Sequence, residues 1–489
     1  MENKKHELKR ISHESYPDRV DTRRQTKNLL DKLEFSSWRT LSKITISLSI
    51  ALAISFVPEY EGLSYSGHQA LFILILAAGL WISEAIPAFS VAILIIALEI
   101  VMLGKVDSQF VEWEVYVQTW SSPLIWLFFG GFVMASAAHR TKLDRWLASH
   151  VLTRLGNRPG MVLAGVMIVT AVFSMFMSNT ATAAMMMTVI APVYLTLGRG
   201  NPFGKAMLLA VPFAANIGGM GTIIGSPPNA IAAGALSNST TQSISFVEWM
   251  IAGVPVAIVL LAVIYIYLLF RYPSAVKRMD FSLLKNDTDD STEVEPVWKK
   301  LLVMVIFFIT IILWMTQNLH GIPTAVVSFL PITVFATTGI FRTKEMRGLS
   351  WDVLMLMAGG LSLGIAMQRT GLAQWLVNSF PFEAIGTLPT LLLISFIVLI
   401  ISNFISNTSA ASIVVPIGLS LGVPLGMGSE FVIAIALSSS AAMCLPISTP
   451  PNAIAFSMDQ LETSDFIVGG LIVGVLGPLL AVFWTGIVF

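Results

Sequence analysis

Four short polar segments interrupt apolar stretches of this chain: Ser178-Asn179-Thr180, Ser406-Asn407-Thr408, Gly225-Ser226-Pro227-Pro228-Asn229 and Ser448-Thr449-Pro450-Pro451-Asn452. Paired prolines remove two backbone donors and break a helix, which leaves carbonyl oxygens unclaimed. The Ser, Thr and Asn side chains beside them suit the cap of a half-helix that follows. Such helix starts present partial positive charge and free N–H groups. Carbonyls, hydroxyls and Asn oxygens suit a hard, weakly held monovalent cation such as sodium. N–H groups, Asn amides and Thr hydroxyls suit the oxygens of a carboxylate or sulfate. None of the four segments contains Lys or Arg. A doubly charged anion in a low-dielectric interior needs its charge balanced, and co-bound sodium ions supply that balance without a permanently buried cation. Proton coupling fits less well, because it ordinarily uses an intramembrane carboxylate or histidine. The spans hold few such groups, Glu84 and Glu99, and Glu84, close to Pro87, reads as a capping or interface residue.

The elements that must position these segments are apolar runs at 42–58, 68–83, 86–104, 121–138, 161–177, 181–197, 206–224, 249–270, 301–319, 322–341, 352–367, 388–405, 409–427, 431–447 and 466–489. A membrane crossing takes about 20 residues. The runs 161–177 and 181–197 are short and meet at the first Ser-Asn-Thr; 388–405 and 409–427 are short and meet at the second. Short half-spans joined by a polar tripeptide predict a re-entrant helical hairpin, a form tolerated at membrane depth only where it lines a cavity in the protein.

The chain repeats itself. FFGGFVMASAAHRTKLDRWLA around Gly130-Gly131 aligns with MAGGLSLGIAMQRTGLAQWLV around Gly359-Gly360 at an offset of 229. The two Ser-Asn-Thr tripeptides pair, GSPPNAIAAG at 225–234 pairs with STPPNAIAFS at 448–457, and Ile86-Pro87 pairs with Ile322-Pro323. The Gly pairs read as points of close helix packing. With the N-terminal tail placed inside and each hairpin returning to its own side, the loops at 139–160, 198–205, 271–300 and 342–350 together with the tail carry 27 of the 29 Lys and Arg residues. Only Lys105 and Arg369 fall outside, which is the positive-inside pattern of a cytoplasmic tail. Five basic residues follow the first Gly-Gly segment and a lone Arg369 ends the second, so the two repeats are expected to be inverted, with the site near the midplane. The chain then divides into a cytoplasmic tail (1–43), a first repeat (44–270, hairpin 161–197), a cytoplasmic linker (271–300) and a second repeat (301–489, hairpin 388–427), with the C-terminus external. The expected fold is an all-α polytopic membrane protein of about 11 transmembrane helices and two re-entrant helical hairpins.

Composition excludes most other classes. Hydrophobic residues make up 55% and charged residues 12% of the 489, against about 25% charged in soluble domains. The 29 basic and 29 acidic side chains give no net charge and no basic face for nucleic acid. No secretory signal is read in the polar first 43 residues. Cys444 is the single cysteine, a small buried hydrophobe in this reading, and the Met185-Met186-Met187 run is packing filler. No HExxH, Walker loop or GxGxxG occurs, and no catalytic residue is assigned. Gly360-Leu361-Ser362-Leu363-Gly364 matches GxSxG, but in a membrane helix rather than at a strand-to-helix turn. Asn238, Asn286 and Asn407 match the N-glycosylation pattern, of which Asn238 alone faces outside in this topology.

On these doubled motifs, the chain over about 40–489 resembles the divalent anion/sodium symporter family, which includes the sodium-coupled di- and tricarboxylate transporters. The resemblance implies one sodium site built from Ser174, Ser178, Asn179 and the Gly225 carbonyl. It implies a second from Ser402, the Ile405 carbonyl, Asn407 and the Ser448 carbonyl; at 402 relatives often carry Thr. Substrate carboxylates would be held by Asn179, Thr180, Ser406, Asn407 and Thr408, with Ser226-Pro227 and Thr449-Pro450 at the unwound segments. It further implies a homodimer in the lipid bilayer, each protomer with a scaffold (the first three and the seventh and eighth spans) and a transport part that moves as an elevator. The expectation is therefore a sodium-coupled importer of C4-dicarboxylates such as succinate, fumarate and malate in the plasma or inner membrane, with sodium as coupling ion and no organic cofactor. A sodium-independent exchanger, a citrate or sulfate substrate, and a non-transporting membrane sensor remain open alternatives.

Overall fold

The computed structural model describes residues 22–104, 113–154, 156–198, 200–239, 244–275, 278, 296–379 and 386–489. These are helices joined by short connections, with no strand among the described residues. Each apolar run falls on one helix or on two, as at 301–319 (Val297–Met315 and Gln317–His320) and 322–341 (Thr324–Val327 and Phe329–Thr337). Nine helices among the described residues are long and apolar enough to cross a membrane, and Ala88–Met102, Pro159–Ser174, Thr324–Thr337 and Gly428–Ser440 are shorter apolar ones. The tail is helical from Thr22 and runs without a break into the first span, to Phe56. Most of the linker 271–300, the Asn286 motif and Lys105 lie outside the described residues.

Two helices form the centre. Pro202–Gly219 buries Phe203, Gly204 and every residue from Ala206 to Gly219, and Gly428–Ser440 buries all but Ser429. A helix apolar on every side has no face to offer water and packs inside. Each of the two ends at one of the Pro-Pro segments. The surrounding helices are half exposed, with Ile258, Ile266, Phe270, Phe308 and Ile312 on outward faces, as lipid contact requires.

The Gly-Gly helices, Pro123–Arg140 and Trp351–Arg369, each pack on a helix from the opposite half. A Cβ at Gly130 would lie 2.6 Å from Ser328 Cβ, and a Cβ at Gly359 would lie 2.5 Å from Ala92 Cβ. Only glycine permits either crossing, so the sequence reading of these glycines as packing points holds. Each Gly-Gly helix is followed by a short helix, Leu143–Arg154 or Leu372–Ser379. The first of these lies in the stretch 139–160 that the sequence suggests is a loop; the charges there end the apolar run, yet a helix forms again from Leu143.

Polar contacts fix which ends of helices lie together. Arg140 Nη1 bonds Glu345 Oε2 (3.0 Å) and the Ile340 carbonyl (2.8 Å), so the end of one Gly-Gly helix lies beside the segment leading into the other. At the opposite end of the second, Ser64 Oγ donates to the Thr370 carbonyl (3.0 Å) and Trp375 Nε1 to the Glu61 carbonyl (3.1 Å). Lys205 and Tyr272 both bond Asp465, at 2.9 Å and 2.7 Å, which gathers three further helix ends.

Candidate functional site

The Ser-Asn-Thr tripeptides occupy the tips of two helical pairs, Pro159–Ser174 with Asn179–Thr196 and Thr387–Phe404 with Asn407–Gly422. Arms of 16 and 18 residues in each pair extend about 24 to 27 Å at 1.5 Å per residue, short of the bilayer core. In both tips the first serine works as a cap. Ser178 Oγ accepts from Ala181 N (3.2 Å) and Ser406 Oγ from Ser409 N (3.1 Å). The helix start at each tip therefore has one of its free donors satisfied.

Behind each tip sits the same small device. Ser174 Oγ, fully buried, donates to the Ala215 carbonyl (2.7 Å) and lies 2.6 Å from the Asn179 amide. Ser402 Oγ, also fully buried, lies 2.8 Å from both the Ser439 carbonyl and Asn407 Oδ1. One hydroxyl proton serves one acceptor. With Ser174 donating to Ala215, the Asn179 amide nitrogen faces it; in that orientation, assigned from the hydrogen-bond network, it also reaches the carbonyls of Gly225 (3.1 Å) and Ala215 (3.2 Å). Ser174, Asn179 and the Gly225 carbonyl are thus one cluster. The backbone there has no room to spare: a Cβ at Gly219 would meet the Asn179 amide at 2.5 Å, and one at Gly225 would meet the Gly219 carbonyl at 2.6 Å.

The Pro-Pro segments unwind as expected and are braced by their own asparagines. Asn229 Nδ2 donates to the carbonyls of Gly219 (2.8 Å) and Thr222 (2.7 Å), and Asn452 Nδ2 to those of Met443 and Leu445 (both 3.0 Å). Both side chains are fully buried, so these bonds replace the helix bonds that the prolines forfeit. The half-helices resume at Pro227 and Pro450. Thr222 Oγ1 donates to the Met175 carbonyl, joining the first unwound segment to the first hairpin. Ser448 Oγ donates to the Asn403 carbonyl (3.0 Å), joining the second segment to the second hairpin.

Each unwound segment also reaches the central helix of the opposite half. Asn216 Nδ2 donates to Thr449 Oγ1 (2.9 Å), and Ser226 Oγ lies 3.4 Å from Ser440 Oγ. All four polar breaks therefore meet, and none of the residues bonded there is charged. Of the residues expected at the site, Ser226, Thr449, Ser448 and Ile405 are buried, at 3, 3, 5 and 3% exposure. Asn179, Asn407 and Thr408 are half-buried, while Thr180, Ser406 and Pro450 are exposed. Asn216, Asn403, Ser439 and Ser440 join the network although the motifs did not include them. Asn216 carried one signal, an amide in the otherwise apolar run 206–224; the serines carried none, since serine is common in membrane helices.

An open cleft of about 380 Å³ reaches the second tip. Trp81, Glu84, Ala85, Ile86, Pro87 and Ala88 line one wall and Ser406 and Ser409 the other. Outside this region, Ser362 of the GxSxG match is fully buried and donates to Glu99 within the crossing of Trp351–Arg369 with Ala88–Met102.

Residues 38–488 match the family described as the sodium:sulfate symporter transmembrane region. The chain is 31% identical to an uncharacterised transporter of Haemophilus influenzae, over 84% of this chain and 89% of the relative. It is 30% identical to the sodium-dependent dicarboxylate transporter SdcS of Staphylococcus saprophyticus, over 89% and 88% of the two chains. Among solved structures, the fold is similar to the YdaH transporter of Alcanivorax borkumensis, with a TM-score of 0.54 at 12% identity over 82% of this chain and 98% of that one. The similarity to MtrF of Neisseria gonorrhoeae gives a TM-score of 0.53 at 11% identity over 82% and 95%.

Proposed function

The chain belongs to the sodium:sulfate symporter family, and on that premise we propose that it is a secondary-active transporter that imports C4-dicarboxylates such as succinate, fumarate and malate together with sodium. The observation that carries this reading is the repeated cluster of a buried serine, an amide and a backbone carbonyl behind each hairpin tip, with no charged side chain in it. Neutral oxygens in that number suit sodium, and a neutral pocket can hold a dianion only with cations beside it. The name of the Staphylococcus relatives, sodium-dependent dicarboxylate transporters, agrees with both halves of the proposal.

In this reading, one sodium ion takes oxygens of Ser174, Ser178, Asn179 and Gly225, and the other takes those of Ser402, Ile405, Asn407 and Ser448. The Asn179 amide, whose nitrogen faces the Gly225 carbonyl (3.1 Å), would offer a sodium ion its oxygen in the turned orientation. A sodium ion held there would order the tip for an anion bound by Thr180, Thr408 and the second amide. Ser226-Pro227 and Thr449-Pro450 lie at the starts of the two half-helices that close the pocket from the other side.

The two repeats (44–270 and 301–489) are inverted, joined by the linker 271–300, with tail and basic loops in the cytoplasm and the C-terminus external. The Arg140–Glu345 contact supports this: it sets the end of one Gly-Gly helix beside the beginning of the other. The hairpins and broken helices move as an elevator against a scaffold, within a homodimer. Uptake into proteoliposomes tests the coupling. A sodium gradient should accelerate succinate uptake at least tenfold, and competing fumarate, malate, citrate and sulfate should rank the substrates. Equal uptake with and without sodium would instead mark a sodium-independent exchanger.

A further inference from the structure

Glu84 stands in the wall of the cleft that faces Ser406 and Ser409 of the second hairpin. Its carboxylate makes no hydrogen bond and no ion pair with any described residue. Lys43 bonds the neighbouring Ser83 carbonyl instead (2.6 Å). Glu84 also caps Tyr65–Ser83 in the left-handed region, at φ 48°, a conformation that glycine adopts freely and glutamate does not. The corresponding turn of the second half, before Ile322-Pro323, places Gly321 in that region (φ 71°). His320, which stands where Glu84 stands relative to the Ile-Pro pair, is consumed by its turn. Its Nε2 lies 2.9 Å from the Leu313 carbonyl and its Nδ1 accepts from Ile322 N (3.0 Å). Glu84 braces nothing in this way, so a strained, exposed, unpaired carboxylate is retained opposite the tip. A side chain held in the left-handed region, without a structural partner and in the wall of a cleft, points to function.

We propose that Glu84 is a specificity-determining residue on the cytoplasmic side of the cleft, where its negative charge favours sodium and opposes a dicarboxylate, so that an imported anion is released there and not reloaded. This rests on the transporter reading above. A carboxylate at the mouth of a low-dielectric cleft focuses its field along it, and a dianion feels twice the repulsion of a monoanion. The same charge favours discharge of the anion once sodium has left, which gives the cleft a direction.

The test uses the purified full-length protein and direct binding of succinate and of its monomethyl ester, each titrated with sodium set at the same fraction of each variant's own sodium midpoint. Glu84→Gln should tighten succinate about 3- to 10-fold at low ionic strength and the monoester by roughly the square root of that factor. The sodium midpoint should rise by a similar several-fold. Both differences should collapse in about 0.5 M choline chloride, where the Debye length is only a few ångströms. Glu84→Gly, which removes the charge and relaxes the turn, should shift affinity the same way. Unchanged succinate affinity in Glu84→Gln, an equal shift for both anions, or a shift only in Glu84→Gly would overturn the proposal and leave the transporter reading intact. Absence of sodium-dependent succinate binding to the unaltered protein would overturn both.

Discussion

Ser174 and Ser402 share a task that neither the serine nor its neighbours announce alone. Each is fully buried, sits one turn before a tip and holds an asparagine against the end of a central helix. Removing an amide at Asn179 or Asn407 takes away a group that meets both ion and anion in the proposed cycle. Asn179→Ala and Asn407→Ala should each lower sodium-driven succinate uptake by at least a hundredfold at unchanged protein level. Near-normal uptake in either variant would point to a non-transporting sensor. Gly219→Ala probes the same place from the backbone. Its methyl would meet the Asn179 amide at 2.5 Å, so uptake should fall tenfold or more. Asn452 is different, since it braces two carbonyls rather than facing ligand. Truncating a buried, hydrogen-bonded side chain costs about 1–3 kcal/mol per lost partner; Asn452→Ala should therefore lower the detergent-solubilised Tm by several degrees, whether or not sodium is present.

At the scale of elements, the helices were legible because apolar runs have few other uses in a chain this poor in charge. The breaks were legible too, because two prolines in a row leave a helix no alternative. The exchanged packing of Gly-Gly helices on the opposite half was not. Glycine pairs advertise a close approach, but nothing in FFGGFVM or MAGGLSL names Ser328 or Ala92 as the partner. The same holds for the site: the tips could be read from Ser-Asn-Thr, whereas Asn216–Thr449 joins residues more than two hundred positions apart. Helix direction makes its own prediction. A reporter fused after residue 148 should face the cytoplasm and one after 378 the exterior. Both on one side would refute inversion of the repeats.

The whole molecule depends on contacts between halves. Gly130 packs on Ser328, Gly359 on Ala92, Arg140 on Glu345 and Lys205 on Asp465, and the polar centre itself is shared. A chain cut within 279–295 should therefore yield two fragments that accumulate only when expressed together. Co-expression should restore at least a tenth of the uptake, while either fragment alone should be degraded and inactive. Survival of a lone fragment with a protected, folded core would contradict this.

The exchange also sets a timetable for biosynthesis. Ala88–Met102 enters the bilayer well before Trp351–Arg369 has been translated. At about 5–20 residues per second the wait is on the order of 10 to 50 s. Throughout it, Glu99 lacks the serine that will meet it, and the narrow seam at Ala92 stands open to lipid. A nascent chain stalled in the linker would therefore hold a buried carboxylate and an open glycine seam in the bilayer, each waiting for a helix not yet made.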